Sequence, residues 1–369
     1  MKILLIDNSA MAYDNRGHYF TNKLNGLFIR DLTRLGHHLS YYQFAVDSEK
    51  TISVFDLEEN GVQCHPIRNH KNKYLGYLNA YCGIIKHIRQ SDFVYFFYPN
   101  SFKYATFLCR LLRKKYGLYI RGMHGVDDIV SITIYRHAYT IFTVSDYFTN
   151  MVNELTCNHV ANTIRPMIPY SEKDIVMDRK YVNKSTYNIL YLGRIDRDKG
   201  IDELLHAVKE LRSYCTTKFN LKIVGNGNYA TSARQITKFL GIEDIVEFLG
   251  PVYDDDAKRE IFINSDIYIL PTYHEGFPRT LYEAMIFGTP IITTFVGGIP
   301  SLMKDGINCI RIEKGSIQSI VDKLRYAMDN YSDMGHLTSS AASTVRTIVD
   351  CKRLSHGEHL NQILSQYEK

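Results

Sequence analysis

Two glutamates stand eight residues apart in Glu275-Gly276-Phe277-Pro278-Arg279-Thr280-Leu281-Tyr282-Glu283. Ahead of them runs Ile267-Tyr268-Ile269-Leu270, an apolar stretch closed by Pro271, which reads as a short buried strand. After Pro278 the pattern turns helical and stops at Gly288; proline suits a helix's first turn, and glycine suits the position just past its end. Glu275 therefore falls on the loop leaving a strand, and Glu283 about two turns away along the next helix. At the carboxyl edge of an α/β sheet, a loop carboxylate, free backbone N–H groups and a helix N-terminus together can hold a sugar and a phosphate. Two cations complete the set. Arg194 and Lys199 lie in Gly193-Arg194-Ile195-Asp196-Arg197-Asp198-Lys199-Gly200, between a strand and a helix. Arginine grips phosphate through a planar fork and lysine supplies a point charge. The glutamates alone read more readily as solvated charges; cations beside glycines at this position favour function. The spacing is not that of a Walker A loop.

These residues need a scaffold of alternating strands and helices. In the first half, Lys2–Asp7, His38–Phe44, Phe93–Phe97, Leu118–Arg121 and Ile141–Val144 read as strands. The loop Asn8–Gly17 and a helix over Tyr19–Leu35 follow the first of them, with helical stretches also at Asn69–Arg89 and Ser101–Tyr116. Arg165–Val182 lacks a clear period and reads as an interdomain linker. The rhythm restarts with strands Asn188–Leu192, Leu221–Val224, Val246–Leu249, Ile267–Leu270, Ile291–Thr293 and Cys309–Ile312, and a last helix covers Cys351–Tyr367. This alternation predicts an α/β protein of two Rossmann-like domains, each a doubly wound parallel sheet, facing across a cleft. The expected boundaries are 1–170 and 183–350, with the helix of 351–369 packing back on the first domain. The first loop, Asn8-Ser9-Ala10-Met11-Ala12, lacks G-x-G-x-x-G, which counts against a dehydrogenase-type dinucleotide site.

Composition bounds the function classes. The chain has 369 residues, 45% hydrophobic and 22% charged, which fits a globular protein of two domains. No apolar stretch approaches the roughly 18 residues of a membrane span, and Asp7 ends the N-terminal apolar run too early for a signal peptide. Seven scattered cysteines suggest neither a disulfide framework nor a zinc site, so a cytoplasmic protein is expected. The net charge of +5 is uneven: residues 1–170 hold 19 Lys and Arg against 13 Asp and Glu, the remainder 25 against 26. A basic first half with aromatic-rich helices predicts peripheral contact with an anionic membrane; no nucleic-acid motif accompanies the charge.

The set Gly193-Arg194…Lys199-Gly200, Val224-Gly225-Asn226-Gly227, Glu275-Gly276-Phe277-Pro278…Glu283-Ala284-Met285…Gly288-Thr289-Pro290 and Gly297-Gly298-Ile299-Pro300 resembles the retaining glycosyltransferases of family 4, the group 1 glycosyltransferases. Order and spacing match across most of residues 188–300; the first half matches loosely. The resemblance implies a GT-B fold and a nucleotide-diphosphate sugar donor (UDP-, GDP- or ADP-linked), with no cofactor and no metal. It implies diphosphate binding by Arg194 and Lys199, ribose binding by Glu283, and contact of Glu275 with the donor sugar. Backbone near Gly276, Phe277 and Pro278 would help hold sugar and phosphate, beside Gly193, Gly225, Asn226, Gly227, Gly297 and Gly298. Gly17 would approach the phosphates, although the family's Gly-Gly pair is here Arg16-Gly17. Ser301 stands where many members have a glutamate. In Arg121-Gly122-Met123-His124-Gly125, His124 resembles the family's acceptor-side histidine and would meet the donor sugar or the acceptor. The implied activity is sugar transfer to a saccharide or lipid-linked acceptor, in the synthesis of a cell-surface polysaccharide such as O-antigen, capsule or exopolysaccharide. A nucleotide-sugar 2-epimerase of the same fold, and a nucleotide-sugar-binding protein without turnover, are the alternatives.

Overall fold

The computed structural model describes residues 1–47, 53–68, 70–122, 127–157, 160–350 and 352–366. Contacts divide the chain into two compact units, Met1–Ile168 with Leu354–Lys369, and Pro169–Arg353.

In the first unit the strands are β1 (Lys2–Ile6), β2 (Met11–Tyr13), β3 (Tyr19–Thr21), β4 (His38–Asp47), β5 (Phe55–Asp56), β6 (Gln63–Ile67), β7 (Phe93–Tyr98), β8 (Lys115–Ile120), β9 (Thr140–Thr143) and β10 (Ala161–Thr163). They form one sheet in the order β10-β9-β8-β7-β1-β4-β2-β3-β5, with β6 also paired to β4. From β10 across to β6 the pairing is parallel, and strand order reverses at β1, which sits between β7 and β4. Every residue of Phe93–Tyr98 is buried, as a parallel strand covered on both faces requires. Side chains of alternating direction along β1 and β7 feed two separate apolar clusters, one on each face of the sheet.

The expected loop Asn8–Gly17 is in part a β-hairpin. Asp14 Oδ1 accepts from the N–H groups of Arg16 and His18, both at 2.9 Å, and Gly17 takes φ 85° in the tight turn. β3 uses Tyr19–Thr21, so the helix begins only at Lys23, capped by the Asn22 side chain. The helix expected over Ser101–Tyr116 is confined to Ala105–Leu111. Arg113 takes φ 55°, and Lys115 already opens β8, because Gly117 lets that strand lie against Phe93 and Tyr95. The helix over Lys73–Gln90 starts after Asn72, which caps it.

In the second unit the strands are β11 (Thr186–Leu192), β12 (Lys218–Val224), β13 (Val246–Gly250), β14 (Ile267–Leu270), β15 (Ile291–Thr294) and β16 (Ile310–Ile312). All pair in parallel in the order β13-β12-β11-β14-β15-β16. Strand order reverses between β11 and β14. At such a switch point adjacent loops diverge to opposite faces and leave a crevice at the carboxyl ends of the strands. The expected linker packs largely onto this unit. Tyr170 sets its ring 4.9 Å from Phe287, the Val176 N–H donates to Ile286 O at 2.8 Å, and Arg179 donates to Phe262 O at 3.3 Å. Burial of Tyr170 and Ile175 holds the strap down.

The chain ends in the helix His356–Ser365, shorter than the expected Cys351–Tyr367 and opened by a Ser355–Glu358 capping box. It packs within the first unit. Ser355 Oγ donates to Asp31 at 2.7 Å, and His356 Nε2 meets Tyr95 OH at 2.6 Å. Burial pushes the His356 imidazole well below its ordinary pKa, so it packs as a neutral ring against Phe28 and Tyr119.

Candidate functional site

Four loops of the second unit meet at the crevice between β11 and β14. The loop after β11 runs from Gly193 to Gly200, that after β12 from Gly225 to Tyr229, that after β14 from Pro271 to Pro278, and that after β15 from Phe295 to Gly298. They are stitched by backbone bonds. The Gly193 N–H donates to Val224 O at 3.0 Å, Ile195 to Asn226 O at 3.0 Å, Tyr229 to Ile195 O at 2.9 Å, and Tyr273 to Asp198 O at 2.9 Å.

Close approach explains two of the glycines. A Cβ on Gly225 would lie 1.8 Å from Gly193 O, and one on Gly297 would lie 1.8 Å from Glu275 O. Both positions also take positive φ, 140° and 55°, where a side chain is strained. The glycines thus allow each loop to touch the next through backbone alone.

Lys199 lies at the centre of this arrangement. Its side chain is only 7% exposed, yet its ammonium donates to Glu275 Oε1 at 2.6 Å and to His274 O at 3.0 Å. Asp198 Oδ2 lies 3.5 Å away. Burial of a lysine is tolerated only with such partners. Lys199 and Glu275, 76 residues apart, are therefore brought together as an ion pair rather than presented as separate charges. Arg194 differs: it is 71% exposed and pairs with Asp196 at 2.7 Å.

Glu283 lies on the helix Arg279–Ile286 and is 6% exposed. Burial pushes its carboxyl above the usual range, opposed by the positive fields of Lys258 and Arg279 and reinforced by Asp255. Pro278 occupies the cap position and makes no side-chain capping bond, while buried Phe277 sets its ring 4.6 Å from Tyr282. The helix is held to the sheet by Tyr268, whose hydroxyl donates to Thr280 Oγ1 at 2.6 Å.

Several residues that build this site escape sequence reasoning. The first turn of the helix Ile201–Tyr214 carries Asp202 and Glu203. Tyr229 OH donates to Asp202 Oδ2 at 2.6 Å, and Tyr273 OH donates to Glu203 Oε1 at 2.6 Å. One helix end therefore anchors the loops after β12 and β14. Burial alone does not explain the two phenols; the carboxylates beside them come first in raising both to about 12. The only sequence signal was an acidic pair just after Lys199-Gly200, which also suits the positive end of a helix.

Two further expected site residues fall in the first half of the sequence. Gly17 lies at the hairpin tip of the first unit, with nothing within 4 Å of a Cβ built there. His124 lies outside the described residues. Nearby, Arg121 packs over the rings of Phe97 and Tyr119 and lies 3.6 Å from buried Asp7. Asp7 also accepts from Asn25 and Tyr41, so this cluster is internally satisfied. Among the described residues, one group of metal-type ligands clusters, His18, Asp56 and Glu59 in the first unit, where His18 Nδ1 is already 2.6 Å from Asp56.

Residues 173–343 match the family model described as glycosyl transferases group 1. An uncharacterized glycosyltransferase of Methanocaldococcus jannaschii is 27% identical over 353 residues, covering 92% of this chain and 84% of its own. A D-inositol 3-phosphate glycosyltransferase of Corynebacterium aurimucosum is 29% identical over 147 residues, 38% of this chain and 35% of that one. Among solved structures, Anabaena HepE in complex with UDP-glucose superposes with a TM-score of 0.71 at 17% identity, covering 100% of this chain and 99% of that chain. The apo form of the lipopolysaccharide outer core galactosyltransferase WaaB gives 0.71 at 17% identity, with both chains covered completely (100% each). At these identities the structural likeness establishes the fold, which is GT-B.

Proposed function

This chain carries a group 1 glycosyl transferase module on a GT-B fold, and from that premise we propose that it transfers a sugar from a nucleoside-diphosphate sugar to a saccharide or lipid-linked acceptor. The observation that carries the proposal is the convergence of buried Lys199 with Glu275 at the switch point of the second sheet, between loops that meet through glycine backbone. Departure of a nucleoside diphosphate builds negative charge on phosphate oxygens. A fixed ammonium there lowers the barrier because the protein need not reorganise as the charge develops. In this reading Lys199 and Arg194 take the diphosphate, Glu283 the ribose hydroxyls and Glu275 the sugar. The anomeric configuration is retained, and no metal is required. The HepE complex with UDP-glucose makes UDP-sugars the first donors to try, and the likeness to WaaB favours an acceptor of the cell-surface polysaccharide kind.

The test is a screen of the purified protein with UDP-, GDP- and ADP-sugars and lipid-linked acceptors, with and without EDTA. Release of nucleoside diphosphate in EDTA, with the product anomer read by NMR, is the expected result. No release from any donor would refute transfer; activity that depends on added divalent ion would refute the metal-free mechanism.

We further propose that the first unit touches an anionic membrane. Tyr74, Leu75 and Leu78 are exposed on the helix Lys73–Gln90, and Tyr104, Phe107 and Leu111 on or beside the helix Ala105–Leu111. Lys71, Lys73 and Arg110 are exposed around them. Among the described residues no helix is long and apolar enough to cross a bilayer, so contact would be interfacial. Flotation with anionic liposomes at low salt, lost at high salt, is expected; absence at low salt would refute it.

A further inference from the structure

We propose that Asp198 is a built-in stand-in for the donor's phosphate, and that a nucleoside diphosphate enters by displacing its carboxylate from Lys199. The inference rests on the reading of Lys199 as a diphosphate-binding residue.

An ammonium offers three N–H donors and no acceptor. Around Lys199 Nζ stand three protein oxygens: Glu275 Oε1 at 2.6 Å, His274 O at 3.0 Å and Asp198 Oδ2 at 3.5 Å. Two N–H donors are committed to Glu275 and His274, and the third faces the looser Asp198 carboxylate, with which an incoming phosphate oxygen would compete. The three are not equally replaceable. His274 and Glu275 belong to one loop that is pinned at several points. Tyr273 OH donates to Glu203 at 2.6 Å, the Tyr273 N–H to Asp198 O at 2.9 Å, and Thr294 Oγ1 to Thr272 O at 2.7 Å. Gly297 sits directly against Glu275 O. His274 O can move only with that loop, and Glu275 Oε1 makes the shortest contact of the three from a side chain 20% exposed.

Asp198 is different. Its backbone carbonyl is what holds Tyr273, whereas its carboxylate is 41% exposed and makes the longest of the three contacts. A contact of 3.5 Å to a carboxylate partly in water is weak, and the Asp198 side chain can rotate away without disturbing the backbone. The arrangement holds the lysine side chain in place before a donor arrives. It also sets a second carboxylate near an ammonium already matched by Glu275, so the local field opposes an incoming anion. Return of the Asp198 side chain then assists departure of the product nucleotide.

The experiment is calorimetry with UDP, GDP and ADP on the full chain, using Asp198→Asn and Asp198→Ser, with Glu313→Gln as a control for net charge. Glu313 is exposed and paired with Arg311 at 3.0 Å, and is not among the groups bonded to Lys199. Whichever nucleotide the unaltered protein binds should bind about three- to tenfold more tightly to both Asp198 variants. Thermal unfolding confirms that each variant is folded. Unchanged or weaker binding in both variants, or an equal gain in Glu313→Gln, overturns the inference and leaves the functional reading standing. If the unaltered protein binds none of the three, the functional reading falls and this inference with it.

Discussion

Glu283→Gln should move stability and nucleotide affinity in opposite directions. The substitution keeps the shape of the side chain and removes a charge from a site only 6% exposed. Burial raises the Glu283 carboxyl, so the folded protein disfavours its ionised form. The sign follows from linkage: for an acid raised on folding, stability is greatest below its unfolded pKa and is lost as pH rises through the folded one. At neutral pH the charged carboxylate is therefore a cost to the free protein, and glutamine relieves it. The fields of Lys258 and Arg279 limit the gain, so about 1 kcal/mol is expected. In a unit of this size that raises its Tm by roughly 2–4 °C, with the gain shrinking as pH is lowered. Binding should respond the other way. Two hydroxyl hydrogen bonds to a carboxylate contribute roughly 1.5–3 kcal/mol each, and the amide retains one acceptor. A loss of about 1.5–3 kcal/mol makes nucleoside diphosphate binding roughly 10- to 150-fold weaker. Scanning calorimetry from low to neutral pH, with titration of UDP, GDP and ADP, reads both quantities. Unchanged affinity would refute the ribose role; a lower Tm at neutral pH would refute the account of the buried charge.

Three further outcomes follow from the same geometry. Glu275→Gln is expected to lower kcat by about 100-fold while leaving nucleotide affinity nearly intact, since its charge matters most when the sugar becomes cationic; steady-state kinetics beside calorimetry decides, and the reverse pattern would exchange the roles of the two glutamates. Lys199→Met should cost turnover about 100-fold or more, whereas Arg194→Ala, 71% exposed and already paired with Asp196, should cost only about tenfold; equal losses would contradict the difference in burial. Gly297→Ala places a Cβ 1.8 Å from Glu275 O at φ 55°, so it should depress kcat with Tm lowered, and a variant of normal kcat would show that this loop tolerates displacement.

Much of the second unit is legible from the sequence because its information is local. Short apolar runs mark β11 to β16, closed directly by Gly or Pro in β11, β12 and β14, and the positions of Arg194, Lys199, Glu275 and Glu283 relative to those strands follow from spacing alone. The first unit is harder to read. Tyr19–Thr21 continues into a helical apolar pattern, so the hairpin is hidden until Asp14 and Asn22 are seen to bind backbone N–H groups. β6, with Pro66 inside it, lacks the composition of a central strand and is held by its pairing with β4.

What the sequence determined by itself is the rhythm of strands and helices and the loops that carry the charged residues, since hydrophobic period and chain punctuation act over a few residues. What only the tertiary structure decided is which of those loops meet. Strand order sets β11 beside β14, and that adjacency turns Lys199 and Glu275 into a 2.6 Å ion pair. The same adjacency brings Tyr273 to Glu203, residues whose types and spacing carry no mark of partnership along the chain. Order in a parallel sheet is fixed by packing helices over both faces, a property of the whole unit. Contacts between loops some 70 residues apart therefore appear only once the sheet is built.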